Sequence, residues 1–192
     1  MISKLQVKYI QSLGQKKHRD IEGLFIAEGP KIVKELLQEK NANLQHLYAL
    51  DAWIEDNKEL LSETEVILIN ESELDQISQL TTPNQVLAIF RKFEFDESLH
   101  YAGISLVLDS IRDPGNMGTI IRIADWFGIS RIVCSNDCAD VYNPKVVQAT
   151  MGSIARVPVF YAELSEWLKN QKRTTIYAAV MDGEDVANIT DI

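Results

Sequence analysis

The densest run of residues able to do chemistry lies between Leu106 and Gly128, LVLDSIRDPGNMGTIIRIADWFG. It reads as strand, tight turn and helix. Asp113, Pro114 and Gly115 suit the turn, and Asn116 suits the helix N-cap. Ile120, Ile123, Ala124 and Phe127 follow the i, i+3, i+4, i+7 spacing of a buried face. Arg122 then lies roughly 200° round the helix from Ile120 and points away from the core. A guanidinium so placed can grip an anion bidentately and stabilise charge forming on an oxygen. The Asn116 amide can orient a hydroxyl. Gly118 costs the helix about 1 kcal/mol relative to Ala, which predicts a close approach to its backbone. The spot is the carboxyl end of a parallel strand, where open α/β sheets place ligands. A capping Asn, a helical Gly and an exposed Arg also fit an α/β domain with no site here, so these residues alone leave both readings open. The glycines form neither a GxxxxGK[ST] loop nor a GxGxxG turn, which argues against a nucleotide-dependent oxidoreductase.

Helical and strand patterns alternate around this segment. Leu5, Tyr9 and Leu13 predict a helix over 4–13. Pro30 at a first helical position, with Ile32, Val33, Leu36 and Leu37 on one face, predicts another. Further helices are expected over 52–61 and 71–80, and strands over 24–27, 44–50, 65–69 and 85–90. The hydrophilic run KFEFDESLHYAG, 92–103, reads as a linker. Beyond it, strands are expected over 104–108, 131–135, 156–160 and 174–180, with helices over 116–127, 144–151 and 162–172. Strands separated by helices imply a parallel sheet covered on both faces. The domain reading is therefore 1–91, a linker over 92–103, and 104–192. After Val180 only MDGEDVANITDI follows, with no helix to cover the last strand, so the second domain is expected to be cut short.

The chain has 192 residues, 46% of them apolar and 24% charged, which suits a folded protein and excludes disorder as the main state. No apolar run reaches the roughly 20 residues that cross a bilayer. The N-terminus, MISKLQVKYIQSLGQKKHR, lacks the apolar centre of a secretory signal. A cytoplasmic protein with no membrane partner is expected. Cys134 and Cys138 stand alone, which fits a reducing compartment, and without a second ligand pair no metal is expected. The net charge of −9 argues against a general polyanion binder. The charge is uneven, however. Residues 1–22 carry Lys4, Lys8, Lys16, Lys17 and Arg19 against two acids, whereas residues 51–75 carry Lys58 against nine acids. Lys16, Lys17 and Arg19 are candidates for nucleic-acid phosphate contacts. A solvated helix face has the same composition. Glu28 reads as a stabiliser of the helix begun by Pro30, Trp126 and Trp167 as core, and Tyr142 as a loop anchor.

DPGNMGTIIRIADWFG resembles the first signature of the SpoU-type, TrmH-like methyltransferases of the SPOUT superfamily. Asn116, Gly118, Arg122, Ala124, Phe127 and Gly128 stand at its signature positions. DVYNPKVVQATMGSIARVPV, 140–159, resembles the family's next segment. KYIQSLGQKKHR, then LFIAEGPKIVKELL with Glu28 and Gly29 in place, then TTPNQVLAIF, resemble its RNA-substrate domain. The resemblance runs through nearly the whole chain in order.

It implies an α/β protein with a small N-terminal α/β RNA-substrate-binding domain and a C-terminal parallel α/β SPOUT methyltransferase domain. The implied reaction moves a methyl group from S-adenosylmethionine to a ribose 2′-hydroxyl of rRNA or tRNA, in a homodimer whose two copies complete the site. The resemblance makes Arg122 the group that activates the hydroxyl. Guanidinium is effectively always protonated, so the chemistry allows it an electrostatic role instead. It would hold an RNA phosphate and stabilise the forming alkoxide, while Asn116 orients the hydroxyl or braces the turn. Two further signatures, a Gly-Glu-rich loop and a Ser-Leu-Asn helix, are absent. They build the knot and most of the cofactor pocket. The resemblance therefore implies a domain truncated before the trefoil-knot segment, no assignable cofactor-binding residues, and a 192-residue chain that is itself inactive. The alternative is a non-catalytic RNA-binding module derived from the family.

Overall fold

The computed structural model describes residues 2–97, 101, 103–172, 174–183 and 185. Helix α1 (Lys4–Ser12) opens with a reciprocal cap. Gln6 N–H donates to the Ser3 hydroxyl at 3.2 Å, and Ser3 N–H to the Gln6 side chain at 2.9 Å. A short helix α2 (Lys16–Glu22) follows and ends at Gly23, whose φ of 67° needs no Cβ penalty. Its apolar periodicity is nil, and the sequence does not mark it.

Strand β1 (Leu24–Glu28), helix α3 (Pro30–Leu37), strand β2 (Leu44–Ala49), helix α4 (Asp51–Asp56), strand β3 (Ile67–Leu68), helix α5 (Glu71–Ile77) and strand β4 (Val86–Arg91) form the first α/β unit. Its sheet runs β1-β4-β2-β3. Strand β4 is antiparallel to both neighbours, and only β2 and β3 are parallel. This half is therefore a mixed sheet, not a parallel one. The last strand inserts between β1 and β2, which buries Val86 to Phe90 completely and pairs both of its edges.

The second half contains strand β5 (Ser105–Leu108), helix α6 (Pro114–Trp126), strand β6 (Arg131–Ser135), helix α7 (Pro144–Thr150), strand β7 (Val159–Ala162) and helix α8 (Leu164–Lys169). Its sheet, β5-β6-β7, is wholly parallel, as the alternating pattern requires. Strand β7 begins later than expected because a 3-10 turn at Ser153–Ala155 precedes it. The run 174–180 joins no ladder among the described strands, and Ile176, Tyr177 and Val180 are exposed. Strand propensity records fit to a pleated neighbour, and among the described residues no strand pairs with this run.

The two sheets share a core. Phe25, Ala27, Ile32 and Leu36 from the first half pack in one cluster with Met117, Ile121, Ala124, Val146 and Ile154 from the second. Leu24 and Ile26 face the other way, into a second cluster with Ile10, Leu13, Leu74 and Ile77. This is the two-residue alternation of a strand buried on both faces. Charged ties cross the same junction. Arg156 bonds Asp125 of α6 at 2.7 Å, Glu35 of α3 at 2.9 Å, and also Glu39. Arg19 of α2 meets Asp140 at 2.5 Å.

Candidate active site

Helix α6 starts two residues earlier than expected. Asp113 is the N-cap, and its carboxylate accepts the Asn116 N–H at 2.8 Å, while Pro114 takes the first helical position. Asn116 is therefore not the cap. Its side chain is exposed in the first turn, free of capping duty.

The buried face of α6 is Met117, Gly118, Ile121 and Ala124. Ile123 and Phe127, expected inside, are 48% and 73% exposed, and Trp126 is 85% exposed rather than core. The helix is rotated because its main neighbour is α7. A Cβ on Gly118 would lie 2.5 Å from the Ala149 Cβ and 2.7 Å from the Val146 carbonyl oxygen. Gly118 thus serves a helix crossing, and the close approach expected at its backbone is that of α7. Gly118→Ala is expected to destabilise the protein by about 1–2 kcal/mol, the overpacking cost less the gain in helix propensity. A urea midpoint that rises would contradict this.

Arg122 is exposed on the outer side of α6. Asn116 and Arg122 are six residues apart, about 9 Å along the axis and about 120° round it. They share a helix but do not meet.

The loop leading into α6 is held by residues that the sequence reading missed. Asp137 accepts hydrogen bonds from Arg112 at 2.6 Å, Ser135 at 2.7 Å and Ser110 at 3.0 Å. These donors, the Arg112 guanidinium first, hold its carboxyl well below the usual carboxylate range. Ser110 adopts a φ of 56° and gives its N–H to the Ser135 hydroxyl at 2.8 Å. A non-glycine residue in that region is strained, and such strain marks over-determined segments. The Cys138 thiol accepts the Ile111 N–H at 3.2 Å and points at the Leu108 carbonyl at 3.4 Å. Asp137 and Cys138 stand 27 residues beyond the loop they tie, a separation with no periodic signal.

Lys16 and Lys17 are exposed on α2. Arg19 is not. It is 1% exposed, and its guanidinium donates to the Leu13 and Gly14 carbonyls at 2.9 and 2.8 Å as well as to Asp140. Its expected phosphate contact gives way to a strut between the two halves. Glu28 likewise does not serve α3. It is buried, accepts from the Ser78 hydroxyl and from Gln79 N–H at 2.8 Å, and its burial pushes its carboxyl up. Tyr142 does anchor a loop. Its hydroxyl accepts the Phe93 N–H at 2.9 Å and donates to the Phe93 carbonyl at 3.3 Å. Among the described residues, no group of three or more His, Cys, Asp or Glu side chains could hold a metal. No helix there is long and apolar enough to cross a membrane.

A mixed-sheet unit fused to a parallel sheet, with exposed Asn and Arg on the helix after the parallel sheet's first strand, defines the class as α/β. Residues 4–88 match the MRM3-like substrate binding domain, and residues 103–191 match the SpoU rRNA Methylase family. The second half of the chain thus carries a SpoU rRNA Methylase family domain, and the first an MRM3-like substrate binding domain. Over 161 residues it is 33% identical to rRNA methyltransferase 3, mitochondrial, of Xenopus laevis, covering 79% of this chain and 38% of that protein. It is 29% identical over 171 residues to the 23S rRNA (guanosine(2553)-2′-O)-methyltransferase RlmP of Bacillus subtilis (strain 168), covering 87% and 66%. The chain thus spans under two thirds of the length of these curated relatives. The AdoMet-bound rRNA methyltransferase from Sinorhizobium meliloti superposes with a TM-score of 0.73 at 31% identity, over 88% of this chain and 66% of that one.

Proposed function

We propose that the protein carrying this chain transfers a methyl group from S-adenosylmethionine to a ribose 2′-hydroxyl of ribosomal RNA. The observation that carries this reading is the pair of exposed side chains, Asn116 and Arg122, on a helix whose entry loop is locked by Asp137. The matched family and the names of the relatives support the same chemistry. S-adenosylmethionine, when bound, supplies the electrophilic methyl group. The described residues do not enclose a donor of that size. Neither of the cavities described here, of about 540 and 230 Å³, reaches Asn116 or Arg122. The polar groups ending β5 and β6 are bonded to one another. What these residues present is the RNA side of the reaction. Arg122 holds a phosphate with two parallel hydrogen bonds and offsets negative charge growing on the 2′-oxygen. Asn116, free of its cap, orients the hydroxyl. A second copy covers the apolar surface left by Ile123, Trp126 and Phe127.

The direct test is incubation of the protein with S-adenosylmethionine and ribosomal RNA, followed by digestion to nucleosides. A 2′-O-methyl nucleoside is expected, and base methylation alone would overturn the reading. Lys16 and Lys17 supply phosphate contacts. Changing both to Ala is expected to flatten the plot of log affinity against log salt by about 1.5 to 2 units. An unchanged slope would remove α2 from the RNA surface.

A further inference from the structure

A cavity of about 540 Å³ lies in the crease between the two halves, away from Asn116 and Arg122. Its walls come from α2, the connector after β4, the loop after β6, and β7. The volume falls within the range of small-ligand sites. Phe93, Phe95, Tyr142 and Tyr161 line it. Both tyrosine hydroxyls are already committed. Tyr142 is tied to the Phe93 backbone, and Tyr161 donates to the Ala139 carbonyl and accepts the Val141 N–H. Lys92 and Phe25 each lie 5.1 Å from the Tyr142 ring centre and cover it, so Phe95 is the ring that offers the cavity its carbon surface.

The charges sort in the same way. Lys92 is paired with Asp20 at 2.6 Å and lies 5.1 Å from the Tyr142 ring centre. Asp140 is neutralised by Arg19. Three exposed groups at the mouth have no such tie among the described residues, the Lys16 ammonium, the Asn136 carboxamide and the Glu94 carboxylate. A cavity of aromatic surface with an amide, a carboxylate and one free ammonium at its mouth suits a flat heterocycle whose edge N–H groups face Glu94 and Asn136 and whose attached anion lies on Lys16, away from Glu94. That is a nucleotide. Stacking on aromatic side chains is how unpaired bases are held, because every base has a π-face.

The cavity is also joined to the site. Asn136 directly precedes Asp137, which braces the loop into α6. A ligand at Asn136 thus sits on the same short loop, 136–142, that positions Asn116 and Arg122.

Resting on the RNA reading above, we propose that this crease takes one unpaired nucleotide of the RNA substrate, its base against Phe95 and its phosphate on Lys16. The protein then selects a single-stranded loop over a continuous duplex, since a paired base cannot leave its stack without cost.

The test uses two RNA hairpins differing only in loop or fully paired sequence, with 2-aminopurine as the reporting base. Loop RNA is expected to bind at least about tenfold more tightly than paired RNA, with the reporter quenched on binding by ring stacking. Phe95→Leu and Asn136→Ala are each expected to remove most of that preference and the quenching, while paired RNA binds as before. Circular dichroism confirms folding, and Asn136, being exposed, gives a variant that does not depend on a repacked wall. Equal affinity for both RNAs, or equal losses on both, overturns the nucleotide site while leaving the RNA reading intact. Failure to bind either RNA overturns the RNA reading itself and this site with it. Saturable binding of free adenosine or guanosine monophosphate, unaffected by loop RNA, assigns the cavity to a free nucleotide and overturns its RNA source. Capture of an extended peptide along the edge of β7 overturns it as well.

Discussion

Arg122→Lys is expected to lower the single-turnover rate of methyl transfer by about 100-fold at saturating RNA, in the protein that carries this chain. The size follows from removing one oriented, charged donor from a developing oxyanion, which typically costs about 10² to 10³ in rate. Lysine keeps the charge but not the fork that makes two parallel hydrogen bonds. RNA affinity is expected to fall only slightly, because one phosphate contact among several is lost. The fold is expected to survive. Arg122 is exposed, off the Met117, Gly118, Ile121 and Ala124 face, and lysine has nearly the same helix propensity. A folded Lys variant with a near-normal rate would show that Arg122 contributes charge at most. Asn116→Ala separates the two roles. A capping residue would cost stability, whereas Asp113 already caps α6, so the loss is expected in rate with the urea midpoint unchanged within about 0.5 kcal/mol.

The residues of α6 show what a sequence can and cannot carry. Spacing alone is enough to draw a helix after a strand, and the outward direction of Arg122 is correct. The choice of buried face is not. Ile120, Ile123, Ala124 and Phe127 make as good a stripe as Met117, Gly118, Ile121 and Ala124, and hydrophobic period does not say which stripe has a neighbour. The neighbour is α7, and the glycine that admits it signals in sequence only that something comes close to its backbone. The antiparallel insertion of β4 is hidden for a related reason, since strand order depends on partners distant in the chain. Asp137 was invisible as a site residue because its work is done on a loop far upstream. The basic stretch illustrates the opposite failure. Lys16, Lys17 and Arg19 share charge and proximity, yet one turn of helix puts Arg19 in the interior and leaves the lysines outside.

Arg19→Met carries the largest expected cost in stability, about 3 kcal/mol, read from urea denaturation. Methionine matches much of the volume, so a cavity adds little. What remains is a carboxylate, Asp140, 15% exposed, without its cation, and the Leu13 and Gly14 carbonyls without their donor. Breaking a buried pair from one side typically costs about 3–5 kcal/mol, because the abandoned charge stays desolvated. The partial exposure of Asp140 places the expected value at the lower end. Arg19→Lys is expected to recover little, since a single ammonium cannot span two carbonyls and a carboxylate at once. The guanidinium itself is not fully satisfied, for its Nε has no partner. The strut is therefore no stability optimum. Arg19→Met with Asp140→Asn should regain at least 1 kcal/mol over Arg19→Met alone, because the amide ends the stranded charge. Lys16→Ala, three residues away and exposed, is expected to change stability by less than about 0.5 kcal/mol. A single Arg19 variant as stable as the parent would show that the two halves are held by their shared apolar core alone.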